Sequence, residues 1–151
     1  MPLNLQLEIS LELVFAAFLS MIIGIDRERR DRAAGLRTHM LVGLGACLFT
    51  TLSSHAFPNG DPTRVASNIV TGIGFLGAGT IIQRKSGVHN LTTAASIWAT
   101  AAVGMAVGLG AWFLAICAVL LIWTILAIIY RAEKDEAKHM PSHTDERAEK
   151  L

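Results

Sequence analysis

The sequence predicts an all-α protein: a polytopic transmembrane bundle of about five spans, with its N-terminus outside and its C-terminus in the cytoplasm. Three observations lead there. Of 151 residues, 52% are hydrophobic and only 17% are charged, against about 25% charged in an average soluble domain. The charges are also unevenly placed. No Asp or Glu occurs from Pro62 to Ala132, and the forty residues from Leu91 to Tyr130 carry neither charge nor histidine. Finally, nearly all the basic residues fall on one side of a five-span arrangement. The length suits one domain, with residues 1–130 as the bundle and 131–151 as a charged tail. The hydrophobicity excludes disorder for the bulk of the chain. A formal net charge of +1 argues against nucleic acid as a partner.

The first span is expected at about 8–26. It is uncharged from Ile9 to Ile25 apart from Glu12, which fits if that carboxylate lies in the outer interface. The second, about 38–56, holds only His39 and His55 as ionisable groups, near its two ends. The third, about 65–83, runs between Arg64 and the pair Arg84-Lys85. One crossing takes about 20 residues at 1.5 Å each. The forty-residue run therefore makes two spans, about 91–108 and 111–130. They are divided at Gly108-Leu109-Gly110, where glycine permits a tight turn. Trp112 and Tyr130 suit the headgroup level. The tail is expected to continue the last helix for two turns and to be disordered after Pro141.

Orientation follows from Lys and Arg, which accumulate in short cytoplasmic loops. Arg27, Arg29, Arg30, Arg32 and Arg37 occupy the first loop, Arg84 and Lys85 another. Arg131, Lys134, Lys138, Arg147 and Lys150 lie in the tail, so 12 of 13 basic residues share one side and Arg64 is alone on the other. Met1 to Glu8 contain no basic residue. The first apolar segment is therefore expected to be a retained span and not a signal peptide. Cys47 and Cys117 fall inside spans and read as buried thiols.

Gly72-Ile73-Gly74-Phe75-Leu76-Gly77 matches the dinucleotide pattern G-x-G-x-x-G. That function needs an acidic residue about 20 positions on, and the next fifty positions have none. In a span, Gly72, Gly74, Gly77 and Gly79 instead let helix backbones approach closely. The alanine-rich fourth span is the expected partner, or else a second subunit of a homo-oligomer. A broken, re-entrant helix is the alternative use. Thr92, Ser96 and Thr100 share one helical face, with Thr93 beside them. They either bond to helix carbonyls or line a polar cavity. Asp26 and Glu28 are weak candidates for a magnesium site at the inner mouth, and pairing with neighbouring arginines is the expected alternative. His139 and His143 are separated by Pro141, which disfavours a shared metal site. No nucleophile–base constellation or paired carboxylates occur, so no enzyme activity and no cofactor are expected.

Three stretches together resemble the MgtC/SapB family of bacterial membrane proteins. They are G-I-D-R-E-R-R-D-R-A-A-G-L-R-T from Gly24, N-I-V-T-G-I-G-F-L-G-A-G-T from Asn68, and L-T-T-A-A-S-I-W from Leu91. The resemblance implies a multi-pass protein of the bacterial inner membrane, linked to growth in low magnesium and, in some members, to virulence. It implies a regulatory role, with the F-type ATP synthase as a membrane partner, and magnesium transport as the alternative. The chain departs from the family pattern at Asp26, where Glu is usual, near Ala34, where Pro is frequent, and at Asn90, where Gly is frequent. It looks like the shorter branch without a soluble C-terminal domain. The functional residues expected are Asp26, Glu28, Arg29, Arg37 and Thr38 on the inner face. The spans add Asn68, Gly72, Gly74, Gly77, Gly79, Thr92, Thr93 and Ser96.

Overall fold

A computed structural model describes residues 1–56, 60–85 and 87–139, and gives the backbone alone for 56, 62 and 129–139. The described residues form five helices: α1 (Leu3–Arg29), α2 (Leu36–Ala56), α3 (Pro62–Ala78), α4 (Leu91–Gly108) and α5 (Trp112–His139). A two-stranded hairpin, β1 (Ile82–Arg84) and β2 (Gly87–His89), lies between α3 and α4. The expected disorder after Pro141, and His143 with it, lies outside the described residues.

α4 is the centre of the bundle and packs against all four other helices. Its sequence explains this. Small side chains at Ala94, Ala101 and Gly104 let neighbouring backbones come close on several sides. One apolar cluster joins Ile23 of α1, Cys47 of α2, Val103 and Val107 of α4, and Val119 of α5. A second joins Val42 and Ala46 of α2, Ile69 of α3, and Ile97 and Ala101 of α4.

The distribution of polarity is inverted relative to a soluble fold. Leu3, Leu7, Leu11, Val14 and Phe18 form an exposed stripe along α1, and Phe113, Leu120, Leu121 and Ile125 are exposed on α5. Ser20, His39, Thr51, Thr93 and Thr100 are buried. Apolar surface of this extent on the outside marks contact with lipid or with other helices. α1 and α4 are long and apolar enough to cross a membrane.

Local signals account for the element ends. α1 closes with Asp31 in the left-handed region (φ 53°). The Asp31 amide donates to Glu28 O and the Arg32 amide to Arg27 O, the paired bonds of a Schellman cap. α4 closes the same way at Gly110 (φ 72°), whose amide donates to Val107 O while that of Ala111 donates to Ala106 O. The break at Gly108-Leu109-Gly110 thus turns on Gly110. The third element differs from the expected 65–83. It begins earlier, at Pro62, because Asp61 caps it and proline suits the first helical position. It ends at Ala78, where the Thr80 hydroxyl bonds back to Gly77 O, and Ile82 and Gln83 leave the helix for the hairpin. Asn90, left-handed at φ 67°, ties the hairpin base by donating to Thr80 O. Asparagine is among the few side chains that tolerate this conformation where glycine is otherwise used.

The cap on α3 has a pH consequence. Hydrogen bonds from the Thr63 hydroxyl and amide hold the Asp61 carboxyl below its ordinary value. Because the folded value is depressed, the cap stabilises α3 fully above the ordinary Asp range and is lost as pH falls through the depressed value. Acidification and Asp61→Ala should each lower amide protection in the first turn of α3, measured as exchange relative to the intrinsic rate at the same pH. In the variant that protection should show no further response to acid.

Candidate functional site

The candidate site lies where the C-terminal end of α1, the N-terminal end of α2 and the first turns of α4 meet. Glu28 builds the corner between α1 and α2. Its Oε2 accepts from the Leu36 amide at 2.7 Å, satisfying the start of α2. A Cβ at Gly35 would run into the Glu28 carboxylate and push it off the Leu36 amide. At Gly24, a Cβ would come within 2.8 Å of Leu36 Cα. The two helices therefore meet backbone to backbone.

This close approach buries two ionisable side chains. Arg27 is 2% exposed and reaches across to α4, where Nη2 donates to Thr93 Oγ1 at 3.2 Å. Its Nε has no hydrogen-bond partner among the described residues. His39 is fully buried. Its Nδ1 lies 2.8 Å from Gly35 O, and its Nε2 lies 3.1 Å from Ser96 Oγ. A carbonyl only accepts, so Nδ1 carries hydrogen. The Ser96 hydroxyl is also 2.8 Å from Thr93 O. It has one hydrogen for two acceptors when the ring is neutral, and gives it to Thr93 O when Nε2 is protonated. Thr100 donates to Ser96 O, and Thr51 to Cys47 O. The interior is a chain of satisfied hydroxyls ending at a guanidinium.

The expected inner-face residues divide between two cavities. Glu28, Arg37 and Thr38 line a pocket of about 420 Å³ with Asp31, Arg32 and Gly35. Asp26 and Arg29 line another, of about 660 Å³, between α1 and α5. Asp26 Oδ1 is paired with Arg30 at 2.8 Å. Asp26 and Glu28 thus lie on different sides of α1 and do not form a joint cation site. Among the described residues, no three His, Cys, Asp or Glu side chains gather as metal ligands.

The expected span residues divide further. Thr93 and Ser96 are buried, whereas Thr92 is exposed, so the interior face is Thr93, Ser96 and Thr100. Gly77 faces α4, where a Cβ would sit 3.3 Å from Ala94 O. Gly79 stands at the end of α3. Gly72 and Gly74 have open space around them. With Asn68, Gly72 borders an apolar groove of about 490 Å³ between α2 and α3. Within the chain, the close packing is carried instead by Gly24, Gly43, Gly104 and Gly108.

Arg27 and His39 are the residues that the motif-based reading passed over. A signal for them exists. Ala16, Leu19, Ser20 and Ile23 form the buried stripe of α1, and extending that spacing by one turn reaches Arg27. Val42 and Ala46 of α2 point back in the same way to His39.

The sequence model of the MgtC family matches residues 13–135. A relative from Escherichia coli K12, "Putative magnesium transporter YhiD", is 39% identical over 132 residues, 82% of this chain and 61% of its own length. Protein MgtC of Brucella abortus is 50% identical over 95 residues, 63% of this chain and 40% of its own. Protein MgtC of Salmonella typhimurium is 44% identical over 112 residues, 74% of this chain and 48% of its own. The chain spans about three-fifths or less of the length of these relatives. No solved structure matches it. On a match running from the first helix into the last, the chain belongs to the MgtC family.

Proposed function

We propose that this chain is a regulatory protein of the bacterial inner membrane that acts in magnesium homeostasis by binding another membrane complex. By family resemblance the partner is the F-type ATP synthase. The observation that carries this reading is Arg27, buried at the end of the interior hydroxyl chain. A cation moving along Thr93, Ser96 and Thr100 would meet that fixed positive charge in a low-dielectric setting, where repulsion is strong. The Ser96 and Thr100 hydroxyls are bonded to carbonyls of their own helix and the Thr93 hydroxyl is engaged by Arg27, so they offer no open ladder of ligands.

Five crossings, with the N-terminus outside, place 12 of the 13 basic residues on the cytoplasmic side. They also put the exposed stripes of α1 and α5 against lipid. The pocket holding Glu28, Arg37 and Thr38 then faces the cytoplasm, and the groove beside Asn68 and Gly72 lies within the membrane. Both are available to a partner. In complementation of a strain lacking its own family member, grown at low magnesium, Arg37→Ala and Asn68→Ala should each abolish rescue while the protein still inserts. Full rescue by both would reject these surfaces.

A homo-oligomeric magnesium channel or transporter is the second reading, favoured by the name of the Escherichia coli relative. Its pathway would run between copies, along the open α3 face at Gly72 and Gly74. Purified protein in liposomes separates the two. No flux of magnesium, sodium or protons under a gradient, together with crosslinking to a partner complex, is expected. Magnesium flux that scales with protein would overturn the regulatory reading.

A further inference from the structure

We propose that the cavity between α1 and α5 binds the headgroup of an aminophospholipid, phosphatidylethanolamine. This rests on the membrane reading above. The cavity, about 660 Å³, is lined by Ile22, Ile25, Asp26, Arg29, Trp123 and Ile128 among others. It lies where the apolar length of α1 gives way to the Arg-rich loop. That is the depth at which hydrocarbon meets headgroups, and basic pockets between helices there take lipid headgroups.

Two polar groups define what the cavity accepts. Asp26 is 9% exposed. Arg30 is bonded to its Oδ1, and its Oδ2 is buried with no hydrogen-bond partner among the described residues. A buried carboxylate oxygen left in this way is costly, and a ligand that brings a cationic donor to the Asp26 carboxylate, with a rotation that turns Oδ2 toward the cavity, removes the cost. Arg29 lines the same cavity, forms no ion pair among the described residues, and offers a fork suited to phosphate. Phosphoethanolamine carries an ammonium donor and a phosphate two carbons apart. The apolar wall of Ile22, Ile25, Trp123 and Ile128 suits acyl chains, which distinguishes a lipid from the free phosphate ester. Phosphatidylcholine has the same phosphate, but its methylated nitrogen cannot donate. Phosphatidylglycerol lacks the cation.

The test uses the full chain carrying Trp98→Phe and Trp112→Phe, which leaves Trp123 as the one tryptophan of three. It is reconstituted in phosphatidylcholine vesicles and titrated with brominated lipids. Brominated phosphatidylethanolamine should quench Trp123 at about ten-fold lower mole fraction than brominated phosphatidylcholine, the scale of one charge-assisted hydrogen bond. Asp26→Asn should abolish that preference, and Arg29→Gln should weaken quenching by both lipids. Soluble phosphoethanolamine should not relieve the quenching; relief would assign the site to a free phosphate ester and overturn the proposal. Equal quenching by the two lipids would overturn it too, as would quenching by phosphatidylglycerol as strong as by phosphatidylethanolamine. If Asp26→Asn does not fold, Arg29→Gln decides, since Arg29 is exposed and quenching unchanged by its loss overturns the site. Protein that stays in the vesicles after an alkaline wash yet shows no preference refutes the lipid site alone. Protein released by that wash refutes the membrane reading with it.

Discussion

Gly104→Val drives α4 away from α2 and is expected to be the most damaging single substitution in the bundle. Even the first added carbon has no room. A Cβ at Gly104 would collide with Gly43 O, and it would lie 2.9 Å from the Gly43 carbonyl carbon and 3.0 Å from Gly43 Cα. These are backbone atoms of a helix that is itself held against Ser20 of α1, so no flexible side chain can yield. Overpacking a rigid contact costs about 1–3 kcal/mol for small insertions. Gly104→Ala should therefore lower stability by at least that scale, and valine by more. The matched control is Gly72→Ala or Gly74→Ala in α3, where a Cβ meets nothing within 4 Å. There the helix propensity of alanine should leave stability unchanged or raise it by up to about 1 kcal/mol. Unfolding in mixed detergent micelles compares the variants directly. Equal stability for Gly104→Ala and Gly72→Ala would refute the claim that α2 and α4 meet through their backbones.

Arg27→Met should dissociate stability from function. Arg27 is buried, but it donates to the neutral Thr93 hydroxyl, and its Nε has no hydrogen-bond partner among the described residues. Replacing a buried charge with an apolar side chain of similar volume is commonly neutral or stabilising, because the desolvation cost disappears. The variant should unfold at or above the detergent midpoint of the parent, to within about 1 kcal/mol. Rescue of growth at low magnesium should nevertheless be lost, since the interior no longer ends in a fixed positive charge. Arg27→Ala is a harsher change, because it also removes the aliphatic stem that packs in the interior. Magnesium flux gained by Arg27→Met in liposomes would identify Arg27 as the barrier to conduction. Full rescue by a stable Arg27→Met protein would remove it from the functional site.

Composition and charge placement carried the helical architecture because they depend on one-dimensional quantities. An uncharged run of forty residues cannot be hidden by any packing, and the glycine break within it is local. The same holds for the caps. Asp61-Pro62 starts α3 through bonds made within three residues, a local signal that the expected start at 65 did not use. The hairpin at 82–89 was not legible. Its strands have three residues each, too few to show alternation, and Ile82 and Gln83 read as a continuation of an apolar run.

The candidate site was partly legible. Asp26, Glu28, Arg29, Arg37 and Thr38 do border cavities at one end of the bundle, and Thr93 and Ser96 face its interior. The glycine-rich motif of α3 drew attention away from the glycines that make the tight contacts. A motif shows only that side chains are missing. Whether a neighbour fills that space depends on which helix lies opposite, although Gly104-x-x-x-Gly108 is a small-residue spacing that does point to close helix packing.

The sequence by itself determined that the chain is helical, apolar over five segments and basic at alternate connections. Each of these follows from periodicity, length and charge counted along the chain. The tertiary structure decided which residues are inside. α4 became the hub because its small side chains admit four neighbours, and that choice turned Arg27 and His39 inward onto Thr93 and Ser96 while leaving Thr92, Gly72 and Gly74 on the outside. Burial is a property of pairs of surfaces, and a single chain read in order contains only one member of each pair.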